Sequence, residues 1–98
     1  MDLGLRDKII LVTGGAKGIG AATVEAFSAE DCRVVLVDRD TETGTSLEKF
    51  LGSRVSYIEA DLTNLEACQK AIEQTVSLFG GLDVLVNNAG FNDGLGLE

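Results

Sequence analysis

Four glycines in eight positions, Gly14, Gly15, Gly18 and Gly20 in the stretch TGGAKGIG, stand between an apolar run, KIILV, and a segment with helical spacing. Glycine has no Cβ, so backbone here can come close to a ligand, and the first N–H groups of the helix that follows have no partner inside it. Those donors, with the positive end of the helix dipole, favour a phosphate or pyrophosphate. Asp38 closes the run VVLVD, 18 residues beyond Gly20. A carboxylate there can accept hydrogen bonds from both adenosine ribose hydroxyls and would repel a 2'-phosphate, which favours NAD over NADP. Lys17 and Arg39 argue the other way, because cations beside the ribose are what a 2'-phosphate requires. Asp38 carries more weight, since its charge would sit against that phosphate. Blander readings stay open here. Gly14 and Gly15 would also make a tight turn, and Gly18 and Gly20 would permit close helix–sheet packing without a ligand. Asp38 would serve as an acid opening a surface loop, and Lys17 and Arg39 as solvated charges.

Two other phosphate loops fail on the letters. A Walker A loop needs GxxxxGK[ST], but five positions beyond Gly15 comes Gly20 and then Ala21, so no lysine reaches terminal phosphates. The GxGxxG arrangement is absent too, the glycines following G-x-x-x-G-x-G at Gly14, Gly18 and Gly20.

The elements that must position these residues are legible from periodicity. Short runs rich in Val, Ile and Leu recur at Ile9 to Val12, Val34 to Val37, Val55 to Ile58 and Val84 to Val86. They are apolar at successive positions, as expected for strands covered on both faces of a parallel sheet. Gly18 to Glu30 reads as a helix whose stripe is Ile19, Ala22, Ala26 and Ala29, broadened by Phe27. Leu65, Cys68, Ile72, Val76 and Phe79 form the stripe of another, with Asn64 as N-cap and Gly80-Gly81 as its stop. Thr41 to Leu51 is helical through Leu47, Phe50 and Leu51, although Gly44 interrupts it. Strand and helix alternate, and crossovers of this length are right-handed. The fold class is α/β: the first βαβαβαβ half of a doubly wound parallel sheet, strand order 3-2-1-4.

Length bounds the chain at one domain, residues 1–98, with a thin core. Sixteen acidic against eight basic side chains give a net charge of −8, which repels nucleic acid and anionic membrane surfaces. Cys32 and Cys68 lie 36 positions apart with no histidine in the chain, so no metal site is expected. Both cysteines are expected to be reduced, buried small hydrophobes. The start MDLGLRDK has no secretory pattern, and no apolar run approaches membrane-spanning length, so the expected location is cytoplasmic.

Taken together, T-G-x-x-x-G-I-G at Thr13 to Gly20, Asp38, Asp61-Leu62 after the third strand and Asn87-Asn88-Ala89-Gly90 after the fourth resemble the short-chain dehydrogenase/reductase family, across nearly the whole chain. The resemblance implies a partial Rossmann fold and a nicotinamide dinucleotide as partner. It places Gly14, Gly18, Ile19 and Gly20 at the pyrophosphate, Asp38 at the adenosine ribose, and Asp61 and Leu62 at the adenine. It sets Asn88, Ala89 and Gly90 along the nicotinamide-side ribose, while Asn87 and Thr13 tie strand ends together. Within the family, the opening twenty residues and the closing VNNAGFNDGLGLE look similar to sugar dehydrogenases of the L-fucose type, chiefly at Asn92-Asp93-Gly94, which would equally make an ordinary polar turn.

Family members also carry a serine and a Tyr-x-x-x-Lys pair. Tyr57 is the only tyrosine here, and four positions on stands Asp61, so the match fails and no catalytic residue is assigned. The expected function is the cofactor-binding half of an NAD-dependent oxidoreductase acting on a secondary alcohol or carbonyl, a sugar by the narrower resemblance, with these residues inactive alone. The whole protein is expected to be a homo-oligomer, because the helices that usually form the family's subunit interface come later. The competing readings are a non-catalytic nucleotide-binding or regulatory module and an adenosine-ligand enzyme such as a methyltransferase. Asp61-Leu62 and NNAG disfavour the last.

Overall fold

The apolar runs form the four strands they imply, each slightly longer than the run itself: β1 (Ile9–Thr13), β2 (Arg33–Asp38), β3 (Val55–Glu59) and β4 (Val84–Asn87). Three helices connect them in the computed structural model, which describes residues 4–88: α1 (Gly18–Ala29), α2 (Thr41–Leu51) and α3 (Leu65–Phe79). All strand pairs are parallel, in the order β3-β2-β1-β4. Chain direction explains where the helices lie. The steps from β1 to β2 to β3 run one way along the sheet and leave α1 and α2 on one face; the return from β3 to β4 leaves α3 on the other. Ile10, Val12, Val34, Leu36 and Val55 accordingly pack with Val24, Phe27 and Leu47. On the opposite face Leu11, Val35, Val37 and Ile58 pack with Ala71, Ile72 and Phe79.

The expected helix stripes need correction. In α1 the buried residues are Gly20 and Val24, with Phe27 packed behind them, while Ile19, Ala22, Ala26 and Ala29 are exposed. Close approach at Gly20 decides which face turns inwards, and alanine is too small to compete. In α3 the buried residues are Ala71 and Thr75, whose hydroxyl donates to the Ala71 carbonyl at 2.9 Å; Leu65 and Val76 are exposed. A threonine that satisfies itself one turn back can go inside, and here it takes the place expected of Val76. The predicted cap and stop of α3 hold: Asn64 Oδ1 accepts from Glu66 N–H and Ala67 N–H, and Gly80 ends the helix at φ +84°.

Coverage differs among the strands, and the edge strand β4, apolar on both faces, is the one left open, as its sequence leads one to expect. β1 and β2 are buried on both faces, but Val84 and Leu85 of β4 remain 37% and 49% exposed. Gly44, expected to weaken α2, is buried within it, and a Cβ there would collide with the ring of Tyr57. Cys32 is buried, with burial pushing its thiol above the ordinary range, whereas Cys68 is only half-buried.

Candidate cofactor site

The register brings the carboxyl ends of β1, β2 and β4 level: Thr13 lies beside Val37 on one side and Asn87 on the other. The chain then leaves β1 through the glycine loop. Gly14 N–H donates to the Val37 carbonyl at 2.7 Å, and Gly14 and Gly18 take φ of +66° and +56°. These are left-handed conformations that favour glycine. Gly20 faces the loop so closely that a Cβ would drive into the Gly14 carbonyl oxygen and stand 2.7 Å from Asn88 Nδ2. Gly14, Gly20 and Asn88, 74 residues apart at the extremes, therefore meet at one point.

The start of α1 is distinctive. Asp40 caps α2 and Asn64 caps α3, each with an acidic residue in the first turn. Among the described residues no side chain caps α1, and its first turn holds no acid. Its leading N–H groups and dipole are thus left for an outside anion. Ile19, in this first turn, is 77% exposed, so its side chain is not part of the core.

Asp38 sits where β2 ends, beside that turn. Its Oδ2 accepts from Ala16 N–H at 3.2 Å and its Oδ1 from Asp40 N–H at 3.0 Å. Each carboxylate oxygen has one backbone donor and a free lone pair. Two adjacent acceptors remain, as a vicinal diol requires. The Asp38 carbonyl in turn accepts from Tyr57 Oη at 2.7 Å and from Ala60 N–H at 3.2 Å.

Both expected cations have carboxylates nearby. Lys17 Nζ pairs with Asp40 Oδ2 at 3.0 Å. Arg39 is exposed and acts on Asp61, whose carboxyl is held below its usual range mainly by the Thr63 hydroxyl and N–H and further by the Arg39 charge. Leu62 packs against the α3-side core and lines an apolar cavity of about 130 Å³ with Thr13, Cys68, Ile72 and Asn87. Thr13 Oγ1 donates to Asn87 Oδ1 at 2.9 Å and accepts from Asn88 N–H at 2.9 Å, which is the strand-tying role expected of Thr13 and Asn87. Ala89, Gly90 and Asn92-Asp93-Gly94 lie outside the described residues. The sequence reading missed Asp40, whose only signal was a second acid two positions beyond Asp38. It also missed Tyr57 and Gly44 as a packed pair beneath Asp38, since a glycine in a helix announces no neighbour.

The sequence pattern described as short chain dehydrogenase matches residues 8–97. This chain belongs to the short-chain dehydrogenase family. Among its relatives, a probable galactose dehydrogenase of Rhizobium meliloti is 46% identical over 96% of this chain and 38% of its own length. The L-fucose dehydrogenase of Mus musculus is 44% identical over 87% of this chain and 31% of its own length. A solved family fold, the 3-ketoacyl-(acyl-carrier-protein) reductase of Brucella melitensis complexed with NADH, superposes with a TM-score of 0.79 at 30% identity, over 83% of this chain and 34% of that one. The chain thus spans about a third of the length of these short-chain dehydrogenases.

Proposed function

We propose that these residues are the cofactor-binding part of an NAD-dependent oxidoreductase acting on the secondary hydroxyl or carbonyl of a sugar. The observation that carries the cofactor reading is the Asp38 carboxylate, fixed by Ala16 N–H and Asp40 N–H beside the uncapped start of α1. The glycine turn fits the group: Gly14 and Gly18 take left-handed φ, open space stands beside Gly18, and no side chain among the described residues caps the α1 N–H donors. Gly14, Gly18, Ile19 and Gly20 would hold the pyrophosphate, Asp38 the adenosine ribose, Asp61 and Leu62 the adenine, and Asn88, Ala89 and Gly90 the second ribose. When bound, the nicotinamide supplies a hydride acceptor. The sugar reading rests on the names of the galactose and L-fucose dehydrogenases among the relatives.

Proton transfer needs another part of the protein. Tyr57 is the only tyrosine, its hydroxyl already donates to the Asp38 carbonyl, and burial pushes its phenol above the ordinary value. A phenol so placed is a poor base near neutral pH. Purified chain incubated with NAD and galactose, L-fucose or simple secondary alcohols should therefore form no NADH, followed by cofactor fluorescence, while equilibrium dialysis should detect NAD binding. Turnover abolished by a substitution within the chain would refute the division of labour, and absence of NAD binding by folded chain would refute the cofactor reading.

A further inference from the structure

Resting on the NAD reading above, we propose that Asp40 is a second specificity-determining residue, which holds the Lys17 ammonium away from the position a 2'-phosphate would occupy and so acts with Asp38 in favour of NAD. The Asp38 carboxylate is bracketed by Ala16 N–H on one oxygen and Asp40 N–H on the other. Lys17 follows Ala16 in the chain, so Lys17 and Asp40 flank the same carboxylate. They are joined by the 3.0 Å contact between Lys17 Nζ and Asp40 Oδ2.

The two partners differ in freedom. Asp40 is anchored by the first turn of α2: Oδ1 accepts from Thr43 N–H at 3.1 Å and Oδ2 from Thr43 Oγ1 at 2.9 Å. Its side chain is 28% exposed and that of Lys17 is 72% exposed. The mobile cation is thus drawn to a fixed anion. Capping alone does not call for the charge, because asparagine caps about as well as aspartate. The Asp40 carboxyl is held below its usual range by Thr43 N–H, then by Lys17, then by the Thr43 hydroxyl, so it is ionised wherever NADP carries its full charge. An Asp38 substitution alone would remove one repulsion and leave Lys17 engaged.

The test uses Asp40→Asn, which keeps an acceptor for Thr43 N–H and removes the charge, with Asp40→Ser as a second uncharged cap. Affinities for NAD and NADP are measured by calorimetric titration in the full chain and in Asp38→Ser, Asp38→Ser/Asp40→Asn and the same double variant with Lys17→Gln. Freeing an exposed ion-pair partner should raise the NADP-to-NAD affinity ratio by about threefold, more clearly in the Asp38→Ser background. The gain should vanish with Lys17→Gln and fade in high salt. A ratio unchanged by both Asp40 variants, or a gain that survives Lys17→Gln, overturns the role of Asp40 while leaving NAD binding intact. Folded wild-type chain that binds neither nucleotide overturns the cofactor reading and this inference together.

Discussion

At the scale of single residues, Asp38 joins the sheet to the site: two backbone donors fix its carboxylate, and Tyr57 Oη and Ala60 N–H fix its carbonyl. Asp38→Ser should weaken NAD by about tenfold, through loss of charge-assisted hydrogen bonds, while weakening NADP little or not at all; competition titration reads both. The sequence showed the carboxylate and its spacing but not its supports, because hydrogen bonds to Ala16, Asp40 and Tyr57 depend on how strand ends align in space. Tyr57 was visible only as a tyrosine lacking its lysine. Removing its hydroxyl in Tyr57→Phe leaves the Asp38 carbonyl with Ala60 alone and should lower stability by about 1 kcal/mol in urea unfolding. Burial first of all raises the Tyr57 phenol above its ordinary 10.0, so the folded chain keeps the proton longer than the unfolded chain does. That contribution to stability is whole below about pH 10 and is lost as pH rises through the folded value. Tyrosinate absorbance of the wild-type chain should therefore rise together with alkaline unfolding, and this part of the alkaline loss should be missing in Tyr57→Phe.

At the scale of elements, the strands were legible because burial on both faces makes a run apolar at every position, and β1 and β2 keep that pattern. Helix faces were harder to read. The inward face of α1 is set by Gly20 fitting between Gly14 and Asn88, a contact between distant parts of the chain, while alanines on the other side gave an equally regular but exposed stripe. The sequence likewise ranked Val76 over Thr75, although a threonine bonded to Ala71 fits inside. Gly44 shows how two effects compete within one helix. Propensity alone predicts that Gly44→Ala would stabilise α2 by about 1 kcal/mol. The new Cβ would meet the Tyr57 ring, however, and overpacking typically costs about 1–3 kcal/mol. Because the ring is held by its hydrogen bond to Asp38, the clash should win: Gly44→Ala should melt at a lower temperature than wild type. A higher melting temperature would mean that the ring turns aside without penalty.

At the scale of the whole molecule, strand order and helix sides followed from connection lengths and handedness, so the doubly wound topology was legible in full; which surfaces stay open was legible only at β4. Val84, Leu85, Leu65 and Val76 are all exposed, and Leu85 also lines the apolar cavity between α3 and the ends of β1 and β4. An uncovered edge strand beside apolar surface favours association. The chain by itself should therefore elute from size exclusion larger than a monomer at high concentration, and Leu85→Lys should shift it towards monomer. On the proposed reading a dinucleotide lies across the carboxyl ends of β1, β2 and β4, its pyrophosphate at the start of α1 and its adenosine ribose on Asp38. Amide NMR during nucleotide titration reports on each of these positions at once. NAD should move the signals of Gly14, Gly18, Ile19, Gly20, Asp38 and Asn88 together on one binding curve, with NADP producing the same pattern only at much higher concentration. Shifts confined to other residues, or equal response to NAD and NADP, would contradict it.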